Sequence, residues 1–199
     1  GKVGIGDSPS NPQSTLHVSS PASDGSGIRV SRTGSSGYLQ IYPAYSGIPT
    51  LMSNNAGLHL GYNSNTAGIR IHTGNKVGVN QVAPKASFQV EEYGIDTTTS
   101  STAATTQVAI HTFPIADFRS ARFTVQITNS TDSTYHSTEI LAIHDGTTAN
   151  ITEFGEVHTG SSVEATFDAD VSSGNFRLLA TPTSTNSMAF KVVCHSLTV

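Results

Sequence analysis

Apolar and polar residues alternate through the C-terminal half of the chain with the period of two that is typical of β-strands. The alternation is regular from Phe123 to Ile127 and again from Val163 to Val171. Strands of this kind have one buried face and one solvated face. Between two further apolar runs stands Asp145-Gly146, a dipeptide that predicts a β-hairpin.

Further strands are predicted near residues 107–110, 176–180 and 189–199, which makes seven or eight strands in the C-terminal part of the chain. Short strands with regularly spaced turns indicate a β-sandwich or a jelly roll. The last strand is apolar on both faces, so we expect it to be central in its sheet or buried at a subunit contact. The single cysteine, Cys194, lies in this strand and is expected to be a small buried side chain.

The N-terminal half has shorter apolar pieces, separated by Gly, Asn, Ser and Pro, and contains an internal repeat. Residues 2–18 (KVGIGDSPSNPQSTLHV) match residues 76–90 (KVGVNQVAPKASFQV), with a difference of two residues in length. Each copy joins two short strands through a proline-containing turn, which predicts a small hairpin or corner. Residues 1–99 show no sustained helical period, so an all-β chain is predicted.

The run TTTSSTAATT at residues 97–106 has no large apolar side chain and predicts a linker. It divides the chain into a β-repeat region, residues 1–96, and a C-terminal β domain, residues 107–199. The repeat strands carry too few apolar side chains to offset a backbone ordering cost of ~1–2 kcal/mol per residue, unless further copies of the chain cover them. Gly4, Gly6 and Gly78 would allow close backbone approach around a three-fold axis; ordinary turns are the alternative.

Charge and composition exclude several classes of partner. Charged residues make up 12% of the chain, the formal net charge is −4, and no cluster of Lys and Arg occurs, so nucleic-acid binding is not expected. No run approaches the ~18 consecutive apolar residues of a membrane span, and no signal-peptide pattern is found. The chain begins with Gly1 inside the repeat pattern, so we expect a fragment of a longer polypeptide or a processed product.

Candidate catalytic groups do not form a familiar pattern. Gly6-Asp7-Ser8 mimics the nucleophile block of one hydrolase family, but no histidine has an aspartate three residues before it, as that family requires. Glycosidases need two carboxylates about 5–10 Å apart. The candidates for such a pair, several of which are expected on the solvated face of their strands, are Glu139, Glu153, Glu156, Glu164, Asp168 and Asp170. The eight histidines lack the spacing of metal-binding pairs, so surface or strand positions are expected for them, with a metal ion on a three-fold axis as the open alternative. No enzyme activity or cofactor is expected.

The repeats carry a resemblance to a known class of protein. "KVGIGDSPSNPQSTLHV" and "GIRIHTGNKVGVNQVAPKASFQV" resemble the Gly-Asn-Val-Gly-Ile-Gly, proline, Leu-x-Val repeats of bacteriophage tail fibres and related trimeric virion appendages, over residues 1–92. The resemblance implies a homotrimer whose repeats form a β-structured shaft or collar. The segment from Phe113 is similar to C-terminal domains of structural proteins in marine and cyanobacterial phages, especially in "FRSARFTVQIT" and "TEILAIHDGTTANITEF".

The resemblance implies a structural component of a phage virion, a tail fibre or tail-tip segment that mediates trimer assembly and attachment to the host surface. Its partners would be other virion proteins and a host polysaccharide or protein. Two alternatives stay open: a head fibre or capsid decoration protein, and a carbohydrate-degrading tail spike with two facing carboxylates in a deep cleft. The C-terminal domain either closes the trimer or presents loops, in which the candidate receptor contacts are Asn129, Tyr135, His136 and Asn186.

Overall fold

The computed structural model describes every residue from 68 to 199 and, before them, six separate strands, with side chains there only at Leu58 and Leu60. These strands are β1 (Val3–Gly6), β2 (Leu16–Ser19), β3 (Ile28–Ser31), β4 (Tyr38–Tyr45), β5 (Ile48–Ser53) and β6 (Leu58–Leu60). No helix occurs among the described residues, and hence none that could cross a membrane. The prediction of an all-β chain is confirmed.

The two copies of the sequence repeat pair their strands in the same way. In the first copy β1 and β2 are parallel, with Val3 opposite Leu16. In the second copy β8 (Lys76–Val79) and β9 (Phe88–Val90) are parallel, with Val77 opposite Phe88. A hairpin would have produced an antiparallel pair, so the predicted hairpin is wrong. In the second copy, the connection that contains Pro84 instead carries the chain back to the end of the strand pair at which β8 began.

Close packing joins the second repeat copy to the rest of the protein. A Cβ atom at Gly94 would lie 2.8 Å from the Cβ of Ala86 and 2.9 Å from the Oγ of Ser196, so only glycine fits. Ala86 belongs to the β8–β9 connection and is fully buried. At Gly78 a Cβ would meet the carbonyl oxygen of Gln81 at 2.5 Å, within the same connection. Gly78 is therefore needed because the backbone of its own chain approaches closely at Gln81. This is the alternative to a close approach between strands of different chains.

Eight strands, which we call the head, follow the repeat region. They are β10 (Tyr93–Thr102), β11 (Val108–Pro114), β12 (Phe118–Asn129), β13 (Thr134–His144), β14 (Ala149–His158), β15 (Ala165–Ser172), β16 (Asn175–Pro182) and β17 (Met188–Thr198). One sheet has the order β14-β13-β12-β17-β10-β9-β8-β7-β6, in which β7 is Ile69–His72. A second sheet has the order β11-β16-β15, and β3, β4 and β5 form a separate sheet.

The core of the head lies between these two sheets, which makes it a β-sandwich, as predicted. Alternate residues of β12 point inward, so Phe123, Val125 and Ile127 are fully buried while Thr124 and Gln126 between them are more exposed. From the second sheet, Phe176 reaches across to Phe123, with the two ring centroids 6.0 Å apart, and it stacks on Phe113 of its own sheet at 4.7 Å. Each such phenyl ring contributes roughly 1.5–3 kcal/mol by its burial.

Three further predictions for the head are confirmed. The last strand, β17, is central between β12 and β10, and Cys194 is buried, which raises the pKa of its thiol. The hairpin at Asp145 is present, and the Asp145 carboxylate accepts hydrogen bonds of 2.8 Å from the amides of Thr147 and Thr148.

The linker predicted at 97–106 is instead strand as far as Thr102. There β10 pairs with β17, with Thr97 opposite Val193. Threonine is β-branched and suits a strand even without a large apolar side chain.

Candidate functional site

The direction of the strands separates the two ends of the head. At one end β9 pairs with the beginning of β10, where Phe88 lies opposite Ile95. At the other end Met188 lies opposite both Thr102 and Asn129. We call this second end the distal end, because the repeat region joins the head at the opposite one. Four connections lie at the distal end: residues 103–107, 130–133, 159–164 and 183–187.

Asn129 ties three of these connections together. Its side chain is 1% exposed and is the last of β12 to point inward. Its Nδ2 donates to Asp132 Oδ2 at 3.1 Å and to Glu164 Oε2 at 3.2 Å. Its Oδ1 accepts from the amide of Asp132 at 3.2 Å and from Nδ2 of Asn186 at 3.3 Å. The amide thus has all the partners that it can use.

We expect Asn129→Ala to lower the free energy of unfolding by about 1–3 kcal/mol, because the buried Glu164 carboxylate loses a donor. Chemical denaturation followed by circular dichroism measures the change. Asn150→Ala, at an exposed position of β14, is the matched control and is expected to change stability by about 0.5 kcal/mol or less. Equal losses in the two variants would contradict a stabilising role for the Asn129 network.

A shallow depression of about 360 Å³, which we call the distal depression, opens beside the network. Tyr135, 48% exposed, stands at its edge with the amide of Gln126 and the hydroxyl of Ser137 nearby. Its other lining residues are His136, Val157, His158 and Thr159. Tyr135 is held in place by its backbone, whose amide donates to Thr159 Oγ1 at 2.9 Å. The depression therefore offers an aromatic ring and several polar groups on a fixed backbone.

His136 lies on the inner side of the distal depression and is 1% exposed. Its Nδ1 accepts a hydrogen bond of 3.4 Å from the backbone amide of Glu164, and its Nε2 is buried without a hydrogen-bond partner. Burial lowers the pKa of His136, against the opposing effect of the Glu156 and Glu153 carboxylates. His136 is therefore neutral near pH 7.

The structure brings the four candidate contact residues to the same end of the head, but only Asn186 lies in a loop as predicted: Asn129 ends β12, and Tyr135 and His136 lie in β13. Asn129 and Asn186 are hydrogen-bonded to each other, and Tyr135 and His136 line the distal depression. Asn129 and His136 are buried, however, so they support the surface from beneath, and host contact there stays a prediction. Asp132 falls in the segment near residues 129–134 that the sequence indicated, whereas Gln126 was missed. The outward alternation of β12 was the available signal for Gln126.

The six carboxylates considered for a glycosidase pair are mostly engaged or scattered. Glu139 is paired with Arg122, and Asp170 with Arg177. Glu164 is buried and bonded to Asn129. Glu153 and Glu156 do come together, on exposed positions of β14, and neither lines the distal depression.

A second surface is the outer face of the nine-stranded sheet, where apolar side chains of three strands, β10, β13 and β17, are exposed. Leu141 is 50% exposed, Ile143 53% and Leu197 51%. We call this surface the outer apolar patch; it consists of Tyr93, Leu141, Ile143, Val193 and Leu197. A depression of about 500 Å³ lies within it, beside the Arg122–Glu139 ion pair. Ser120 and Arg122 of β12 lie between the apolar side chains of β13 and those of β17. Exposed apolar side chains grouped on one sheet face mark an interaction site more often than singly scattered ones do.

Comparison with known proteins gives weak likenesses. No protein-family model matches the chain, and no curated protein matches it. The tailspike protein of Acinetobacter baumannii phage AM24 is similar over 54% of this chain, with 6% identity and a TM-score of 0.32. The tailspike protein of Acinetobacter phage vB_ApiP_P1 is similar over 92%, with 13% identity and a TM-score of 0.31. The matched parts are 26% and 29% of those two proteins, so the chain spans less than a third of either.

Proposed function

We propose that this chain is a non-enzymatic segment of a trimeric phage tail appendage and that the distal end of its head attaches to the host surface. The observation that carries the proposal is the polarity of the head. The repeat region enters at one end, through β9 and the start of β10, and four connections gather at the other. Connections held by a rigid scaffold are the usual place for binding residues.

The exposure of the outer apolar patch is the evidence in favour of a trimer. β17 is central in its sheet and buries one face, yet Val193 and Leu197 on its other face are exposed together with Leu141 and Ile143 of β13. A further copy of the same chain would cover these side chains and would also satisfy the requirement of the short repeat strands for additional apolar cover. We therefore assign the patch to contacts between heads.

The chemistry of the distal depression favours a saccharide as the host ligand. The ring of Tyr135 offers an apolar face to the C–H groups of a sugar, while Gln126, Ser137 and Thr159 offer hydrogen-bond donors and acceptors to its hydroxyl groups. Sugars present both kinds of group on adjacent faces. A polysaccharide of the bacterial surface presents them in repeated copies, which a trimer can bind at three sites together.

We expect Tyr135→Ala to weaken binding of the host surface polysaccharide at least tenfold, because the exposed ring is the largest contact that the distal depression offers. Binding is measured with immobilised capsular polysaccharides and lipopolysaccharides from a panel of bacteria. The polysaccharide that binds best is then incubated with the protein and is expected to remain uncleaved.

Phe88→Ala removes an aromatic ring of similar exposure from the repeat region and is expected to leave binding unchanged. Equal binding by the wild type and Tyr135→Ala would mean that the distal depression is not the attachment site. Release of reducing sugar ends would contradict the non-enzymatic proposal and favour a degrading spike.

A further inference from the structure

A β-bulge in the edge strand β14 brings two glutamates to the same face of the sheet. Between the Ser137–Val157 pair and the Glu139–Phe154 pair, β14 has one residue more than β13. Gly155 accommodates the extra residue with a φ of +65°, and Thr138 Oγ1 donates to the carbonyl oxygen of Phe154 at 3.4 Å. Residues three apart in a regular strand point to opposite faces. The extra residue of the bulge shifts the alternation by one position, so the side chains of Glu153 and Glu156 lie on the same face of the sheet.

Both glutamates lie beside His136. One ring nitrogen of His136 and one carboxylate oxygen from each of Glu153 and Glu156 lie within 4.8 Å of one another. The Nδ1 of His136 faces the Glu164 amide, which leaves Nε2, buried and without a partner, as the nitrogen available to a ligand. A buried, unpartnered imidazole nitrogen next to two carboxylates is an arrangement that a bound cation would complete.

His158 stands opposite His136 in the next strand and adds a fourth group. Its Nδ1 donates to the carbonyl oxygen of Gly160 at 2.9 Å, which fixes the neutral tautomer with a lone pair on Nε2. That Nε2 lies 4.0 Å from Glu156 Oε1. A histidine whose other ring nitrogen donates to a backbone carbonyl is the usual form of a metal-ligating histidine.

We propose that His136, Glu153 and Glu156, with His158 as a fourth ligand, bind a divalent transition-metal ion of the zinc type. Two imidazoles and two carboxylates are ligands that Zn²⁺ accepts in a four-coordinate site, whereas Ca²⁺ prefers oxygen ligands alone.

Metal binding requires modest rearrangement. Ligand distances of about 2.0–2.2 Å place the ligand atoms of a tetrahedral site roughly 3.4 Å apart, so the exposed glutamate side chains have to move inward. Binding through His136 Nε2 places the ring hydrogen on Nδ1, so the long contact with the Glu164 amide opens. The ion would then link β13 to the bulged part of β14, which is an edge strand of the sheet.

The test is titration of the full chain with ZnCl₂, followed by calorimetry and by thermal unfolding. We expect one tight Zn²⁺ site per chain and a higher unfolding temperature with excess Zn²⁺. CaCl₂ at the same concentration is expected to have no effect. Glu153→Gln/Glu156→Gln keeps the size of both side chains at exposed positions, and we expect it to weaken Zn²⁺ binding at least tenfold and to abolish the thermal shift.

Glu91→Gln/Glu92→Gln makes the same change of charge at two exposed residues in the turn between β9 and β10 and is expected to bind Zn²⁺ like the wild type. Circular dichroism without metal checks that both double variants are folded. Absence of saturable Zn²⁺ binding to the wild type would overturn the proposal. Equal affinity of the two double variants, or Ca²⁺ binding as tight as Zn²⁺ binding, would also overturn it.

Discussion

Replacing Phe176 with alanine is expected to lower the free energy of unfolding of the head by about 3–5 kcal/mol. The ring is fully buried, stacks on Phe113 at 4.7 Å, and reaches from the three-stranded sheet to Phe123 of the nine-stranded sheet. Its removal leaves a cavity where the two sheets meet. Domains are stable by only about 5–15 kcal/mol, so this one change removes a large share of the total.

Urea denaturation followed by circular dichroism, at one fixed chain concentration, measures this loss. Phe154→Ala is the matched control, since its ring is 43% exposed and its described aromatic contact is the Arg122 guanidinium, 5.8 Å from the ring centroid. It is expected to cost about 1 kcal/mol or less. A similar loss from both variants would mean that the contact between the sheets does not dominate the stability of the head.

Leu141→Lys/Ile143→Lys is expected to reduce the assembly from three chains to one. Both side chains are about half exposed, at 50% and 53%, so the folded protomer should tolerate lysine there. In a trimer that covers the outer apolar patch, two charges per chain would be buried without partners, which is strongly unfavourable. Light scattering after size exclusion would then report one third of the wild-type mass.

Thr166→Lys/Asp168→Lys places the same two side chains on exposed positions of β15, in the other sheet, and is expected to leave the assembly unchanged. Circular dichroism confirms that each double variant is folded. If Leu141→Lys/Ile143→Lys keeps the wild-type mass, the outer apolar patch is not the subunit contact. A different surface would then hold the chains together.

Local patterns in the sequence were sufficient to predict much of the head. The period of two from Phe123 to Ile127 identified β12 and its buried face, and Asp145-Gly146 identified the hairpin between β13 and β14. Both features depend on neighbouring residues and on the alternation of side chains along a strand. The central position of β17 agrees with its apolar character, although within the chain only one of its faces is buried and Val193 and Leu197 on the other are exposed.

The errors come from contacts that no local pattern encodes. Thr97 to Thr102 lack large apolar side chains, but β17 supplies a complete ladder of partners, so they form a strand. In the repeat, the length and path of the connection decided between parallel and antiparallel pairing, and the short strands alone could not show it.

The candidate sites were harder to predict. Asn129 ends β12, whereas Glu164 and Asn186 belong to two different connections, and the three meet only when the sandwich closes. Glu153 and Glu156, three apart in the chain, would point to opposite faces of a regular strand. The bulge at Gly155 reverses that expectation, and a single glycine in a strand pattern does not reveal the register shift by itself.

The absolute mass of the wild-type chain in solution tests the proposed appendage most directly. Light scattering coupled to size exclusion, repeated over a hundredfold dilution, is expected to give about three times the chain mass of 20.8 kDa at every concentration. A mass of one chain throughout would contradict the trimer, leave the outer apolar patch without an occupant, and remove the basis for attachment through three distal ends.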